Sequence, residues 1–196
     1  MKKLLVILCA MFLLCVFTTS SYAYSVTVNY NAGTTQQTTA LTGYATTGAL
    51  MDGMAVTAYY LGGGFETLYW ADIDSDSGGV TGTGWSMRAD GNTFNSGAWS
   101  LTASSAITGL YIDAGVGDTV FDTVYSPYPG TPGSARGRNF AVTTSGSGTI
   151  VATYIDQVAL TGNAPIGDLY RYLDIQFTDL GGWAGSLNFT ADSDNI

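Results

Sequence analysis

Apolar and polar residues alternate along most of this chain with the period that a strand with one buried face requires. Residues 24–30 read YSVTVNY, with an aromatic or aliphatic side chain at every second position. A similar alternation recurs in 169–177 and in 183–190. Because successive side chains of a strand point to opposite faces of the sheet, these segments predict half-buried strands. No long stretch shows a helical period.

Short strands separated by turns predict an all-β fold. Further strands are predicted at 54–61, 65–73, 82–89, 98–103, 107–113, 119–125, 138–144 and 149–160. Gly62-Gly63-Gly64 predicts a hairpin connection, because glycine accepts the backbone angles of tight turns. Strands spaced at about 8–12 residues are typical of sandwiches and barrels. We therefore predict an antiparallel, jelly-roll-like β-sandwich of about ten strands, forming a single domain over residues 24–196.

Three features interrupt this alternation. Residues 31–49 are rich in Thr, Gly and Gln, and we expect a surface loop or a polar edge strand there. Residues 126–137 contain Pro127, Pro129 and Pro132, which predicts a long loop that either connects the sheets or carries a binding function. Arg171 interrupts an apolar face, so we expect it to lie near a sheet edge or to pair with a carboxylate.

The first residues, MKKLLVILCAMFLLCVFTTSSYAYS, have the organisation of a secretory signal peptide. A short basic head precedes an apolar core, and small residues stand one and three positions before the predicted cleavage after Ala23. No later run reaches the roughly 18 apolar residues that a membrane-spanning helix needs. We therefore predict residues 1–23 to be a signal peptide and the rest to be secreted, without a membrane span.

Composition excludes several classes of function from the exported part. The whole chain has a formal net charge of −9, and loss of Lys2 and Lys3 makes it more acidic still. Four arginines are then its only cations, and it contains no Cys, Lys or His. Such a chain is unsuited to nucleic acids, to Ser-His-Asp or Cys-His catalysis and to zinc. Oxygen-ligand chemistry is left, and we predict that the protein is not an enzyme and has no certain cofactor.

Three aspartates alternate in the stretch YWADIDSDSGG, and their carboxylate oxygens are ligands that suit calcium. Asp72, Asp74 and Asp76 either surround a cation or form a solvated acidic turn. An EF-hand is excluded, because its sixth and twelfth positions would be Ser77 and Thr83 instead of Gly and Glu. Asp192 and Asp194 form a second candidate pair, which we expect to be frayed terminal acids.

Aromatic residues and arginines supply the other candidates for ligand binding. Most of the tryptophans fall on the apolar phase of their predicted strands, which favours positions in the core. Tyr125 and Tyr128 flank or lie in the proline-containing loop and are predicted to be exposed. Arg136 and Arg138 either contact an acidic polysaccharide or a neighbouring subunit, or pair with an aspartate of this chain. These four residues form the predicted ligand loop.

Two blocks of the sequence resemble exported bacterial proteins of the PEP-CTERM class, which are sorted by exosortases. They are LYIDAGVGDTVFDTVYSPYPGTPGSARGRNF and GDLYRYLDIQFTDLGGWAGSLNFTADSDN. The resemblance implies a Gram-negative bacterium that makes extracellular polysaccharide, and a location at the cell surface or in the biofilm matrix. The class carries a carboxy-terminal sorting tail, and this chain ends at Ile196, where that tail would begin. We therefore expect a relative without the tail or a truncated sequence.

These observations lead to one functional prediction with two alternatives. The first is a secreted, non-enzymatic protein of the cell surface or extracellular matrix, associated with exopolysaccharide. The second is a calcium-dependent carbohydrate-binding module. The third is a subunit of a surface filament or layer, in which residues 24–30 pair with the sheet edge of another copy. The expected partners are thus extracellular polysaccharide or copies of the protein itself.

Overall fold

A computed structural model describes residues 23–124, 136–162 and 168–196 of the chain. In these residues the chain forms a large, mostly antiparallel sheet of fourteen strands and two short 3-10 turns, which confirms the predicted all-β class. The strands are β1 Ser25–Asn31, β2 Gln36–Thr38, β3 Ala55–Tyr60, β4 Phe65–Tyr69, β5 Ala71–Asp72, β6 Ser77–Gly82, β7 Trp85–Asp90, β8 Trp99–Asp113, β9 Thr119–Asp122, β10 Ala141–Val142, β11 Thr149–Leu160, β12 Leu169–Phe177, β13 Trp183–Thr190 and β14 Ser193–Asn195. The 3-10 turns are Gly48–Met51 and Gly115–Gly117.

The long strand β8 divides the sheet into two halves. Its carboxy-terminal part lies between β3 and β12, and half-sheet I has the order β4-β3-β8-β12-β11-β1. Its amino-terminal part lies between β7 and β13, and half-sheet II has the order β5-β6-β7-β8-β13-β10. The pair β9–β14 extends the end of β12, and β2 pairs with the end of β11. Both halves therefore share one strand.

The inward side chains of the two halves form one hydrophobic core, which gives the fold its sandwich-like character. Trp99 lies at its centre with no exposed surface. Its ring stacks on Phe189 at a centroid distance of 5.7 Å and contacts Trp70 at 5.4 Å. All four tryptophans are buried, as the phase of most of their strands predicted. The core thus contains all the indole rings, whereas Phe65 and several tyrosines, among them Tyr59 and Tyr69, are exposed.

The connectivity differs from the prediction in two respects. The strands predicted at 98–103 and 107–113 are one continuous strand, β8. Ser104, Ser105 and Ala106, which separated the two predicted strands, lie where β8 passes from one half-sheet to the other. Moreover, β1 and β2 pair with β11 in parallel, whereas the other pairs are antiparallel. Period alone carries no information on strand direction.

Arg171 lies in the interior of half-sheet I, so the alternative of an edge position is wrong. It stands where β12 changes partner, since Tyr172–Gln176 pair with β8 and Leu169 and Tyr170 pair with β9. The alternative of a carboxylate partner is confirmed, because Arg171 Nε and Nη2 donate to the two oxygens of Asp113 at 2.7 and 2.8 Å. Such a bidentate pair compensates the partial burial of both charges.

Candidate functional site

The outer face of half-sheet I carries a group of aromatic rings, which we call the aromatic face. The register aligns Tyr59 on β3 with Phe65 on β4, and Tyr69 lies at the other end of β4 on the same side. Tyr111 on β8 and Tyr172 on β12 belong to the same face. These five rings therefore point away from the core on neighbouring strands.

The rings at the β4 edge are the most accessible. Phe65 and Tyr69 keep 68% and 69% of their surface exposed, and Tyr59 keeps 38%. Tyr59 and Phe65 contact each other at a centroid distance of 6.2 Å, and Tyr111 and Tyr172 at 5.2 Å. Exposed phenylalanine on an outer sheet face has no role in the core, so these rings form a surface that is available to a ligand.

Polar side chains lie between the rings on the same face. Thr57 and Thr67 share a hydrogen bond of 2.8 Å between their hydroxyls. Gln176 Nε2 donates to Asp174 Oδ1 at 2.6 Å. Burial raises the pKa of Asp174, and burial together with neighbouring Tyr172 raises the pKa of Tyr111 to about 12. The phenol of Tyr111 therefore keeps its proton, and its ability to donate a hydrogen bond, throughout the physiological range.

Arg171 supports this arrangement from one side. Its guanidinium lies 4.8 Å from the ring centroid of Tyr172, which is cation–π distance. Its Nη1 donates to Gln36 Oε1 at 3.2 Å, and its other nitrogens bind Asp113. The pair with Asp113 thus holds the guanidinium of Arg171 against the ring of Tyr172, which in turn contacts Tyr111.

The outer face of half-sheet II also points away from the core but carries different side chains. Its outward positions on the central strands carry small polar residues and one arginine, namely Ser86, Arg88, Ser100, Thr102, Ser186 and Asn188. The two faces belong to one fold and share β8. The rings of the aromatic face are therefore not a requirement of the fold, since the described central strands of the other outer face carry none.

Of the three aspartates of the predicted metal site, Asp72 is the last residue of β5, and Asp74 and Asp76 lie in the turn between β5 and β6. Asp74 Oδ1 accepts the N–H groups of Asp76 and Ser77 at 3.0 and 2.9 Å, and hydrogen bonding from Ser77 and Asp76 lowers the pKa of Asp74. Arg88 Nη2 lies 3.5 Å from Asp74 Oδ2. Asp72 and Asp76 are exposed. The spacing thus serves to close the turn, and calcium binding by the three carboxylates stays a prediction.

Of the predicted ligand loop, Tyr125 and Tyr128 lie outside the described residues. Arg136 is exposed and borders a shallow cavity of about 190 Å³ with Tyr44, Asn92 and Phe94. The guanidinium of Arg138 lies 4.4 Å from the centroid of the Phe94 ring. Both arginines therefore lie near Phe94, and their contact with a polysaccharide stays a prediction.

Four buried aspartates meet at the end of the fold where β9 pairs with β14. Asp122, Asp168, Asp192 and Asp194 are 0%, 3%, 1% and 0% exposed. The expectation that Asp192 and Asp194 are frayed terminal acids is therefore wrong. Backbone hydrogen bonds hold this end closed, since Asp122 N donates to Asp192 O at 3.1 Å and β14 pairs with β9. Burial, with repulsion between the carboxylates, raises the pKa of Asp192 and of Asp194 to about 8.

Glu66, the only glutamate in the chain, joins the two half-sheets. Its Oε2 accepts hydrogen bonds from Tyr60 Oη, Thr83 N and Trp85 Nε1, each at 2.8 Å, and its Oε1 accepts the Thr83 hydroxyl at 3.1 Å. These bonds, the backbone N–H of Thr83 foremost, lower the pKa of Glu66 to about 2. Its carboxylate is occupied structurally, which makes it unsuited to proton transfer.

We predict that Glu66 gives the protein a specific acid sensitivity. Because its folded-state pKa lies below the usual value of 4.5, its stabilising effect is complete above about pH 4.5 and is lost as the pH falls towards 2. Glu66→Gln should therefore lower the urea midpoint near pH 6, and the difference from the unsubstituted protein should shrink at pH 2–3. Asp76→Asn, in an exposed turn, is the control. A difference that is independent of pH would contradict the role of the ionised carboxylate.

Comparison with known proteins adds no relative. No protein-family model matches the chain, and no curated protein or solved structure shows significant similarity to it. The described residues include no helix long and apolar enough to cross a membrane. In that part of the chain, no three His, Cys, Asp or Glu side chains already stand in position to hold a metal ion. The resemblance to the PEP-CTERM class stays a prediction.

Proposed function

We propose that this chain is a secreted, non-enzymatic protein of the cell surface or extracellular matrix that associates with polysaccharide through its aromatic face. The observation that carries the proposal is the set of outward rings on half-sheet I, interleaved with hydroxyl, amide and carboxyl groups. Aromatic rings pack against the apolar faces of sugar rings, and neighbouring polar groups bond to sugar hydroxyls. The surface provides both kinds of contact over several strands.

The charge of this surface favours a neutral polysaccharide. Asp174 lies among the rings, and the one arginine beside them, Arg171, is already paired with Asp113. The whole chain is acidic, with a formal net charge of −9. A polymer of uronic acids would meet repulsion at such a surface, whereas a neutral glycan would not.

The chemistry of the chain supports binding without catalysis. Glycosidases need two carboxyl groups that flank the scissile bond, one of them free to donate a proton. On the aromatic face Asp113 is held by Arg171, and Asp174 accepts from Gln176. Glu66 lies on the other side of β4 and is bonded to Tyr60, Thr83 and Trp85.

Retention of the purified protein on immobilised polysaccharides tests this proposal. We expect it to be retarded on neutral glucans, such as dextran and an insoluble β-glucan, and not on hyaluronate, which carries carboxylates. Retardation should be equal in calcium and in chelator, because no described feature of the aromatic face requires a cation. Retention in calcium alone would replace the proposal with the calcium-dependent lectin alternative. Absence of retention on neutral polymers would contradict both.

The open edge of β1 favours a second candidate function, assembly with copies of the same chain. Among the described residues β1 pairs with β11 on one side only, and six of its seven residues are exposed. An exposed strand edge offers unpaired N–H and C=O groups to another strand. Sedimentation of the protein over a range of concentrations separates the candidates, since only assembly makes the sedimentation coefficient rise with concentration.

A further inference from the structure

A carboxyl and an amide lie side by side among the rings of the aromatic face. Asp174 and Gln176 stand two residues apart on β12, so both side chains lie on the outer side of half-sheet I. The register places Asp174 opposite Tyr111 and Gln176 opposite Gly109 on β8. Side chains that stand opposite each other on neighbouring strands are close enough to contact the same ligand. The polar pair and the ring of Tyr111 therefore belong to one small area of surface.

Gly109 determines where the amide of Gln176 lies. Glycine leaves the outer side of β8 without a side chain at this point, and a Cβ there would come within 3.1 Å of Gln176 Nε2. The amide thus lies over β8, and from that position its Nε2 donates to Asp174 Oδ1 at 2.6 Å. This bond holds the amide and the carboxyl group together, so that they face a ligand as one unit.

The polar pair keeps hydrogen-bonding capacity that no described residue uses. Asp174 Oδ2 and Gln176 Oε1 accept no hydrogen bond among those residues, and neither atom is sealed from solvent. No ion pair in that part of the chain includes Asp174, which is half-buried. A partly desolvated carboxylate without a paired cation is stabilised by hydroxyl or N–H donors. The pair is therefore suited to an uncharged ligand that brings hydroxyl groups.

We propose that Asp174 and Gln176 bind two adjacent hydroxyls of a neutral sugar unit whose ring packs against Tyr111, an assignment that rests on the proposed function. The carboxylate accepts a hydrogen bond from one hydroxyl, and the amide donates to or accepts from its neighbour. Tyr111 supplies the apolar contact with the face of the sugar ring. The preferred ligand is therefore a polymer whose internal units keep free hydroxyls on two adjacent carbons.

Uncharged glucans that differ only in linkage test this assignment. Internal units of a β-1,6-glucan keep free hydroxyls on neighbouring carbons, whereas those of a linear β-1,3-glucan do not, because the linkage occupies the carbon between the two free ring hydroxyls. In affinity gel electrophoresis, we expect the β-1,6-glucan to bind about tenfold more tightly, since hydrogen bonds to a charged group are involved. Equal binding of both glucans would overturn the assignment and leave the proposed function intact. Absence of binding to any neutral glucan would overturn both.

Matched substitutions assign the preference to the polar pair. Asp174→Ala removes the carboxylate and leaves every ring of the aromatic face in place. We expect it to weaken binding of the β-1,6-glucan about tenfold and to change binding of the β-1,3-glucan little, so that the preference disappears. The control, Asp76→Ala, makes the same change of charge in an exposed turn and should keep the preference.

Urea midpoints establish that these variants are folded. Should Asp174→Ala not fold, Asp174→Asn keeps an acceptor for the Gln176 amide and replaces the free acceptor by a donor, and it should reduce the preference to a smaller extent. A preference that is unchanged in the Asp174 variant, or that is lost in Asp76→Ala, would overturn the assignment.

Discussion

Trp99→Ala is expected to lower the free energy of unfolding by about 3–5 kcal/mol, the range measured when a large buried ring is removed from a core. Trp99 is fully buried and packs against Phe189, Trp70 and Phe121. Its Nε1 also donates to the carbonyl of Ala191 at 2.7 Å. The substitution thus leaves a cavity where the two half-sheets meet and an unpaired carbonyl next to Asp192.

Urea denaturation measures this effect through the shift of the midpoint at an unchanged slope. Tyr69→Ala is the matched control, because it removes an aromatic ring that is 69% exposed and should change stability by no more than about 0.5 kcal/mol. Should Trp99→Ala not fold, Trp99→Phe keeps a ring and removes the indole N–H, and it should show a smaller loss. Equal stability of Trp99→Ala and Tyr69→Ala would contradict the packing described for the core.

The strands that alternation predicted best are those with one face in the core and one face in solvent. β11, β12 and β13 begin and end at the predicted residues, and the tryptophans on them and on β7 and β8 are buried. In these segments apolar residues alternate along the sequence because alternate side chains of the strand are buried. The fold class could therefore be predicted from the sequence.

Strands β6 and β14 were not predicted, because their sequences SGGVTG and SDN have no apolar period. Gly78 on β6 is buried against the backbone of Gly48 and the ring of Trp70, and glycine allows this close packing because it has no Cβ. A Cβ at that position would come within 2.3 Å of the Gly48 carbonyl oxygen and of the Trp70 indole nitrogen. β14 is buried by pairing with β9, a contact between distant segments. The burial of Asp192 and Asp194 also depends on this contact between distant segments. The sequence alone predicted the opposite, because acidic residues near a terminus are ordinarily exposed.

The aromatic face could be predicted only in part. Tyr59 and Tyr111 were recognisable as tyrosines on predicted strands, but the sequence favoured Tyr125 and Tyr128 because of their neighbouring prolines. Which side of a strand faces solvent was visible from alternation. Which outward rings lie side by side depends on strand order and register, and the alignment of β3 with both β4 and β8 links residues that are far apart in the chain.

Loss of polysaccharide binding on removal of the rings is the second large effect that we expect. Combined substitution of Phe65 and Tyr69 by alanine removes the two most exposed rings of the aromatic face and touches no core residue. An aromatic anchor in an interface contributes at least about 1–2 kcal/mol, so the pair should weaken binding by more than about tenfold. Adding Tyr59→Ala should weaken it further, at little cost in stability.

Binding through the aromatic face is tested by comparing three proteins on the same neutral glucan: the unsubstituted chain, the variant Phe65→Ala/Tyr69→Ala, and the variant Thr102→Ala/Ser186→Ala. The last alters the outer face of half-sheet II and controls for any change in surface hydroxyls. Urea midpoints establish that all three are folded. We expect retention of the unsubstituted chain and of the half-sheet II variant, and loss of retention in the aromatic-face variant. Equal retention of all three proteins would contradict the aromatic face as the binding surface.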